Sequence, residues 1–296
     1  MSEHSALDAE IRDLLRFAAQ RSMLPRFRAL TDADVGWKGE DDPVTIVDRE
    51  IEAFLTDALV KLAPGIAVVG EEAAGADATV LDALDGACWI IDPLDGTANF
   101  TQGTGPFGII VALADAGETV AGWLYDPVSD RLCHAKAGAG AFVNGERVAA
   151  RTTGRAQPVA AISCLFLSDE ENAFVNEAIA PHYHIVDIPR CAAEQYPRLA
   201  LGRNDVSTFK RTLPWDHAAG ALWLNECALT RGSRVHVGGI IRGEMGSGGR
   251  ETRRVLRFSM KGLQNWRFGR VSRVMPHLDA KLTGEAGVRH FEASMP

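Results

Sequence analysis

Long apolar runs are missing from this chain, and with them any stretch that would cross a membrane as a helix. A mean hydropathy of −0.04 agrees with that exclusion. Cysteine is scarce and scattered: Cys88, Cys133, Cys164, Cys191 and Cys227, with no Cys-x-x-Cys pair among the five. An odd, dispersed set excludes a disulfide framework and a cysteine zinc site, and reads as reduced thiols in a cytoplasmic protein. The opening residues Met1-Ser2-Glu3-His4 lack a basic segment followed by an apolar one, so no secretory leader is expected. No serine or cysteine sits in a convincing nucleophile motif. Positive charge is also in deficit, with a net charge of −8, which argues against a nucleic-acid partner. What is present, 46% hydrophobic and 24% charged residues over 296, suits a globular enzyme of one or two domains.

The charge is unevenly spread. Residues 229–296 carry 13 Lys and Arg against 5 Asp and Glu, a net +8, so the remainder carries 18 against 34, a net −16. An acidic body fits a cation-binding enzyme. The basic, Gly- and Arg-rich tail shows no clean helical or strand period. It reads as a disordered extension or as a shifted reading frame.

The chemistry concentrates in Trp89-Ile90-Ile91-Asp92-Pro93-Leu94-Asp95-Gly96-Thr97-Ala98-Asn99-Phe100. An apolar run ends in two carboxylates followed by Gly-Thr. Pro93 has no N–H to donate, so a buried strand is expected to stop at Asp92. Gly96 tolerates whatever φ the following turn needs. Two acids at the end of a buried strand are costly to desolvate and call for cations. Oxygen ligands favour Mg²⁺, Mn²⁺ or Ca²⁺ over zinc. The amides of Gly96 and Thr97 could then cradle an anion, which suggests phosphate chemistry.

Asp92-Pro93-Leu94-Asp95-Gly96-Thr97 resembles the signature of the inositol monophosphatase-like, Mg²⁺-dependent phosphatases. Three further stretches match in order: Asp42-Pro43-Val44-Thr45-Ile46-Val47-Asp48, Gly70-Glu71-Glu72, and Pro214-Trp215-Asp216-His217-Ala218-Ala219-Gly220. The resemblance runs from about residue 7 to about residue 228. It implies a layered α-β-α-β-α sandwich of the inositol monophosphatase and fructose-1,6-bisphosphatase type, with the metal site between two domains. It implies two or three Mg²⁺, with Mn²⁺ as a substitute, held by Glu71, Asp92, Asp95, Asp216 and the Leu94 carbonyl. Thr97 and Asp48, with Glu71, would activate the attacking water. Gly96 and Thr97 would hold phosphate, while Cys191, Ala192 and Asp216 would meet the rest of the substrate. Lys38 would sit on a loop over the metals. Family members are commonly homodimers.

Read along the chain, residues 5–30 have helical periodicity that Pro25 ends, and residues 37–42 read as a polar loop. Pro43-Val44-Thr45 is expected to open a second helix capped by Thr45, with Asp48 in its first turn. Apolar residues 65–70 read as a strand ending at Glu71 and Glu72, which adjacent pairing would bring beside Asp92 and Asp95. Strands over 107–114, 119–125, 130–135 and 140–143 form a meander closed by Asn144-Gly145. From residue 159 strands and helices alternate, as in an α/β unit. The divisions are 1–150 for an α+β metal- and phosphate-binding domain, 151–228 for an α/β domain, and 229–296 for the tail.

Simpler structural roles account for several of these positions. Capping accounts for Thr45 and Asp48, the helix dipole for Asp216, and solvation for Lys38. His182 and His184 have no third ligand nearby. A haloacid dehalogenase-like reading of Asp95-Gly96-Thr97 fails because Pro93 stands where its nucleophile would be. A non-catalytic metal-binding relative, impaired by the tail, is the rival from another class. The substrate is expected to be a small phosphate monoester, with inositol monophosphate or a related polyol phosphate leading. Histidinol phosphate and nucleotide 3′-phosphates stay open. Phe209-Lys210-Arg211 stands where many members carry a substrate-binding Glu, which weakens the assignment to inositol phosphate itself.

Overall fold

The computed structural model describes residues 3–39, 42–165, 167–209, 212–229 and 236–239. Helix α1 (Glu3–Ala18) continues as a π-turn over Ala19–Met23 and stops just before Pro25. Its residues Leu7, Ile11, Leu14, Leu15 and Ala18 are all buried, as the period requires. Strands β1 (Val35–Gly39) and β2 (Asp42–Thr45) then form an antiparallel hairpin. This corrects the expected loop over 37–42. A ribbon that buries little of β1 carries no hydrophobic alternation to betray it. Helix α2 (Ile46–Leu62) begins directly after Thr45, which caps it in the expected reciprocal capping box with Asp48, while Pro43 and Val44 belong to β2.

A seven-stranded sheet follows. Its strands are β3 (Ala67–Gly70), β4 (Cys88–Asp95), β5 (Gly108–Asp115), β6 (Glu118–Asp126), β7 (Arg131–Lys136), β8 (Gly140–Val143) and β9 (Glu146–Val148), in that spatial order. Only β3 and β4 are parallel. Helix α3 (Glu71–Ala76) and a 3₁₀ segment, Ala78–Asp85, join them, and α4 (Thr97–Thr101) follows β4. Strand β4 does not stop at Asp92. It continues to Asp95 across an irregularity, pairing Asp92 with Ile110 and Asp95 with Gly108. The bulge absorbs Pro93, and Leu94 N–H donates to Asp92 Oδ1 at 3.1 Å instead of to the ladder.

Strands β10 (Val159–Ile162), β11 (His184–Val186), β12 (Val206–Phe209) and β13 (His236–Gly239) make an all-parallel second sheet in the order β11-β10-β12-β13. Helix α5 (Asp169–Phe174) packs on it through Val175 just beyond its end, against Ala160 and Ile162. Helices α6 (Ala192–Ala200) and α7 (Pro214–Leu229) lie between the sheets. Trp89 and Ile91 point toward α1 and α2, whereas Cys88 and Ile90 point toward α6 and α7, so β4 alternates between two cores. The stack is the α-β-α-β-α sandwich. Of the tail from residue 229, only Leu229 and β13 fall among the described residues; Lys210 and Arg211 also lie outside them.

Candidate active site

The site assembles where β3 and β4 end. Their parallel register sets Gly70 against Ile91, which puts Glu71 alongside Asp92. Beyond the bulge, Gly96 adopts φ 85°, and a Cβ there would lie 2.9 Å from the Pro106 carbonyl oxygen. Both conformation and space therefore demand glycine. Asp216, in the first turn of α7, arrives from the other side. Asp92, Asp95 and Asp216 each offer an oxygen within 4.8 Å of the others. Among the described residues this is the one such group of three or more metal-ligating side chains, and His182 and His184 are exposed elsewhere. The acids line a cavity of about 210 Å³, together with Glu71, Leu94, Gly96, Thr97, Cys191 and Ala192.

Burial pushes the carboxyl pKa of Asp92 well up, and Glu71, Asp95 and Asp216 push it further. Burial likewise raises Asp95, against the amides of Ala193 and Ala192 and the Cys191 thiol. So many acids in one cavity cannot all ionise without a counter-charge. Part of that charge is Lys38. Its Nζ lies 3.0 Å from Glu71 Oε1 and 2.5 Å from Glu72 Oε1. Burial works against the lysine's charge, but the two glutamates outweigh it and raise its pKa. An all-oxygen donor set, buried and mutually repelling, fits a hard divalent cation.

Thr97 and Asp48 meet as expected: the Thr97 hydroxyl lies 3.2 Å from Asp48 Oδ1 and 2.8 Å from the Leu94 carbonyl oxygen. Asp48 Oδ2 is held by the Thr45 amide and hydroxyl at 2.7 and 2.6 Å. Burial pushes Asp48 up to about 7, with Glu72 and Glu71 adding to it against the Thr45 hydrogen bonds. Cys191 and Ala192 both line the cavity, but the first turn of α6 also acts on Asp95. Ala193 N–H donates to Asp95 Oδ2 at 2.6 Å and the Cys191 thiol at 3.0 Å.

Two positioning residues escaped the sequence reading. Buried Glu52 accepts from the amides of Glu72 and Ala73, both at 2.8 Å, and so fixes the turn that carries Glu71. Its signal was its spacing: four residues after Asp48 on α2, it shares that residue's face. Asn99 donates to the carbonyls of Pro106 and Pro189 at 2.7 and 2.9 Å, tying α4 to loops from both halves. No local pattern announces it.

Comparison with known proteins agrees with this geometry. The Inositol monophosphatase family profile matches residues 9–239, eleven residues beyond the limit read from motifs, and so includes β13. An inositol-1-monophosphatase of Bacillus subtilis is 36% identical over 195 residues, covering 64% of this chain and 72% of that protein. A Nus factor SuhB of Vibrio cholerae is 31% identical over 202 residues, covering 64% of this chain and 71% of that one. The crystal structure of extragenic suppressor protein suhB from Bartonella henselae superposes with a TM-score of 0.65 at 27% identity, over 75% of this chain and 85% of that one. With the four motifs gathered at one cavity in this sandwich, the chain belongs to the inositol monophosphatase family.

Proposed function

We propose that this protein hydrolyses a small phosphate monoester with the help of Mg²⁺. The observation that carries the reading is the convergence of Asp92, Asp95 and Asp216 within 4.8 Å beside the Thr97–Asp48 pair. Glu71, Asp92, Asp95, Asp216 and the Leu94 carbonyl would hold the cations. Bound there, Mg²⁺ supplies charge neutralisation of the phosphate and a lowered pKa for water.

The protein's own groups do the orienting. The Thr97 hydroxyl has one proton, which it can give to Leu94 O or to Asp48. Its oxygen is then an acceptor for the attacking water, and Asp48 is the base behind it. Burial holds the Asp48 carboxyl above the ordinary carboxylate range, the direction that favours general-base work near neutrality. Gly96 and Thr97 flank the place for the phosphate. Hydrolysis forms a new P–O bond from water and breaks the ester P–O bond. The attacking water gives its proton through the Thr97 hydroxyl to Asp48, and the departing alkoxide takes one from solvent water, leaving an alcohol and inorganic phosphate. By analogy with the family, we also assign the chain to a cytoplasmic homodimer acting on a small molecule, which sedimentation velocity would test by mass.

The direct test is phosphate release from inositol 1-phosphate, histidinol phosphate and a nucleoside 3′-phosphate, with Mg²⁺ and with EDTA. Release that requires Mg²⁺ and is lost in Asp95→Asn is expected. Metal-independent release, or release that survives in Asp95→Asn, would refute the assigned site.

A further inference from the structure

Beyond the carboxylates and Thr97, Ser163, Arg190 and Gln195 bring hydrogen-bonding side chains to the cavity lining. Arg190 can only donate, and Ser163 can donate or accept. Gln195 differs from both. It is only 3% exposed. It follows Ala192 by three residues on α6, so the two share a face of that helix. Its backbone N–H closes the first turn on the Cys191 carbonyl at 2.9 Å.

The Gln195 amide is fixed at one end. Its Nε2 donates to the Thr208 carbonyl at 3.3 Å. A carbonyl only accepts, so the nitrogen faces Thr208 and the amide oxygen faces away from it. Among the described residues that oxygen has no hydrogen-bond partner. Thr208 also holds Ser163, whose backbone N–H donates to the Thr208 hydroxyl at 2.9 Å. The Ser163 hydroxyl likewise has no partner among the described residues. One residue of β12 therefore fixes two side chains of the cavity lining.

A buried amide oxygen with no donor costs free energy. A phosphate dianion cannot relieve that cost, because its oxygens are themselves acceptors. A hydroxyl on the alcohol half can. The stretch Phe209-Lys210-Arg211 offers no carboxylate acceptor, and Gln195 supplies a neutral one from α6. We infer that Gln195, with Ser163 held by the same threonine, is a specificity-determining residue of this site: its amide oxygen accepts a hydrogen bond from a hydroxyl of the substrate's alcohol half. This rests on the phosphatase reading above.

The test compares inositol 1-phosphate with cyclohexyl phosphate, the same ring without its free hydroxyls, on the full chain with Mg²⁺. Wild type should show a KM about tenfold lower for the inositol ester. Gln195→Met keeps an unbranched side chain of similar length and removes the acceptor. It should raise the inositol ester's KM about fivefold, the scale of one hydrogen bond, and leave kcat and the cyclohexyl ester's KM within about twofold. Ser163→Ala, a smaller change to the fold, should raise the inositol ester's KM about threefold with the same split. A purely structural role would move both esters together or lower kcat for both. Equal KM values in wild type, unchanged KM values in the variants, or parallel losses for the two esters would overturn the inference and leave the phosphatase reading intact. If Gln195→Met does not fold, wild type and Ser163→Ala decide by the same criteria. If neither ester is hydrolysed, calorimetric binding of both with Mg²⁺ decides. Tighter binding of the inositol ester that is lost in Gln195→Met would support the inference and count against hydrolysis; equal binding, or none, would overturn it.

Discussion

Thr97 has a single hydroxyl proton and two acceptors within reach, the Leu94 carbonyl at 2.8 Å and Asp48 at 3.2 Å. Removing the hydroxyl at nearly constant volume isolates its role. Thr97→Val should lower kcat by roughly 10² or more, the range for a lost proton-transfer partner. Thr97→Ser should retain most of the rate, and Mg²⁺ affinity by calorimetry should change little in both. A Val variant with wild-type kcat would exclude Thr97 from water activation. Asp95 differs, since one of its oxygens is already shared by an amide and a thiol of α6. Cys191→Ala would leave the Ala193 amide in place. It should weaken Mg²⁺ binding only a few-fold, about the worth of one hydrogen bond at roughly 1 kcal/mol.

Between elements, close approach matters more than any single bond. A Cβ on Gly70 would fall 2.3 Å from the Glu52 carboxyl carbon. Gly70→Ala must therefore push Glu52 off the amides of Glu72 and Ala73, leaving a buried carboxylate unpaired. A loss of about 2–4 kcal/mol in denaturant unfolding is expected, together with weaker Mg²⁺ binding because the Glu71 turn is released. Gly122 of β6 packs on α7 so closely that a Cβ would lie 2.6 Å from the Ala219 Cα. That neighbour is backbone and cannot swing away. Gly122→Ala should cost about 1–3 kcal/mol by overpacking. It should also disturb Asp216, which α7 carries three residues before Ala219. Unchanged stability in both variants would show that these contacts relax freely.

For the whole molecule, the acid cluster couples stability to pH. Asp48, Glu71, Asp92 and Asp95 all have raised folded-state pKa values, Asp48 at about 7. A raised acid binds its proton more tightly when folded, so its contribution is complete below its unfolded pKa and is lost as pH rises through the folded value. In EDTA, Tm should therefore fall from pH 5 to pH 8. On the proposed function the ionised acids hold Mg²⁺, which should then raise Tm far more at pH 8 than at pH 5. A Tm in EDTA that stays level or rises over this range would show that burial and mutual repulsion do not hold these carboxyls protonated in the cation-free protein.

Local chemistry was legible wherever a residue's role depended on its near neighbours in the chain. The capping of α2 by Thr45 and Asp48 follows from a three-residue spacing, and Gly96 from the turn its flanking residues impose. The meander and its Asn144-Gly145 turn, and the alternation after residue 159, follow from two periodicities of the backbone. The motif order led to the family and to the sandwich. The tertiary structure decided what no spacing encodes. Asp95 meets the Ala193 amide across 98 residues, and Lys38 reaches Glu71 and Glu72 from a hairpin too exposed to show a strand period. Strand β4 runs through Pro93 because a bulge removes the need for the missing donor, which is a property of the pairing and not of the proline. Strand β13 takes its place by pairing with β12, although four residues carry no signal of their own. Local sequence restricts φ, ψ and the buried face; contacts between distant segments become favourable only when the folded layers bring them together.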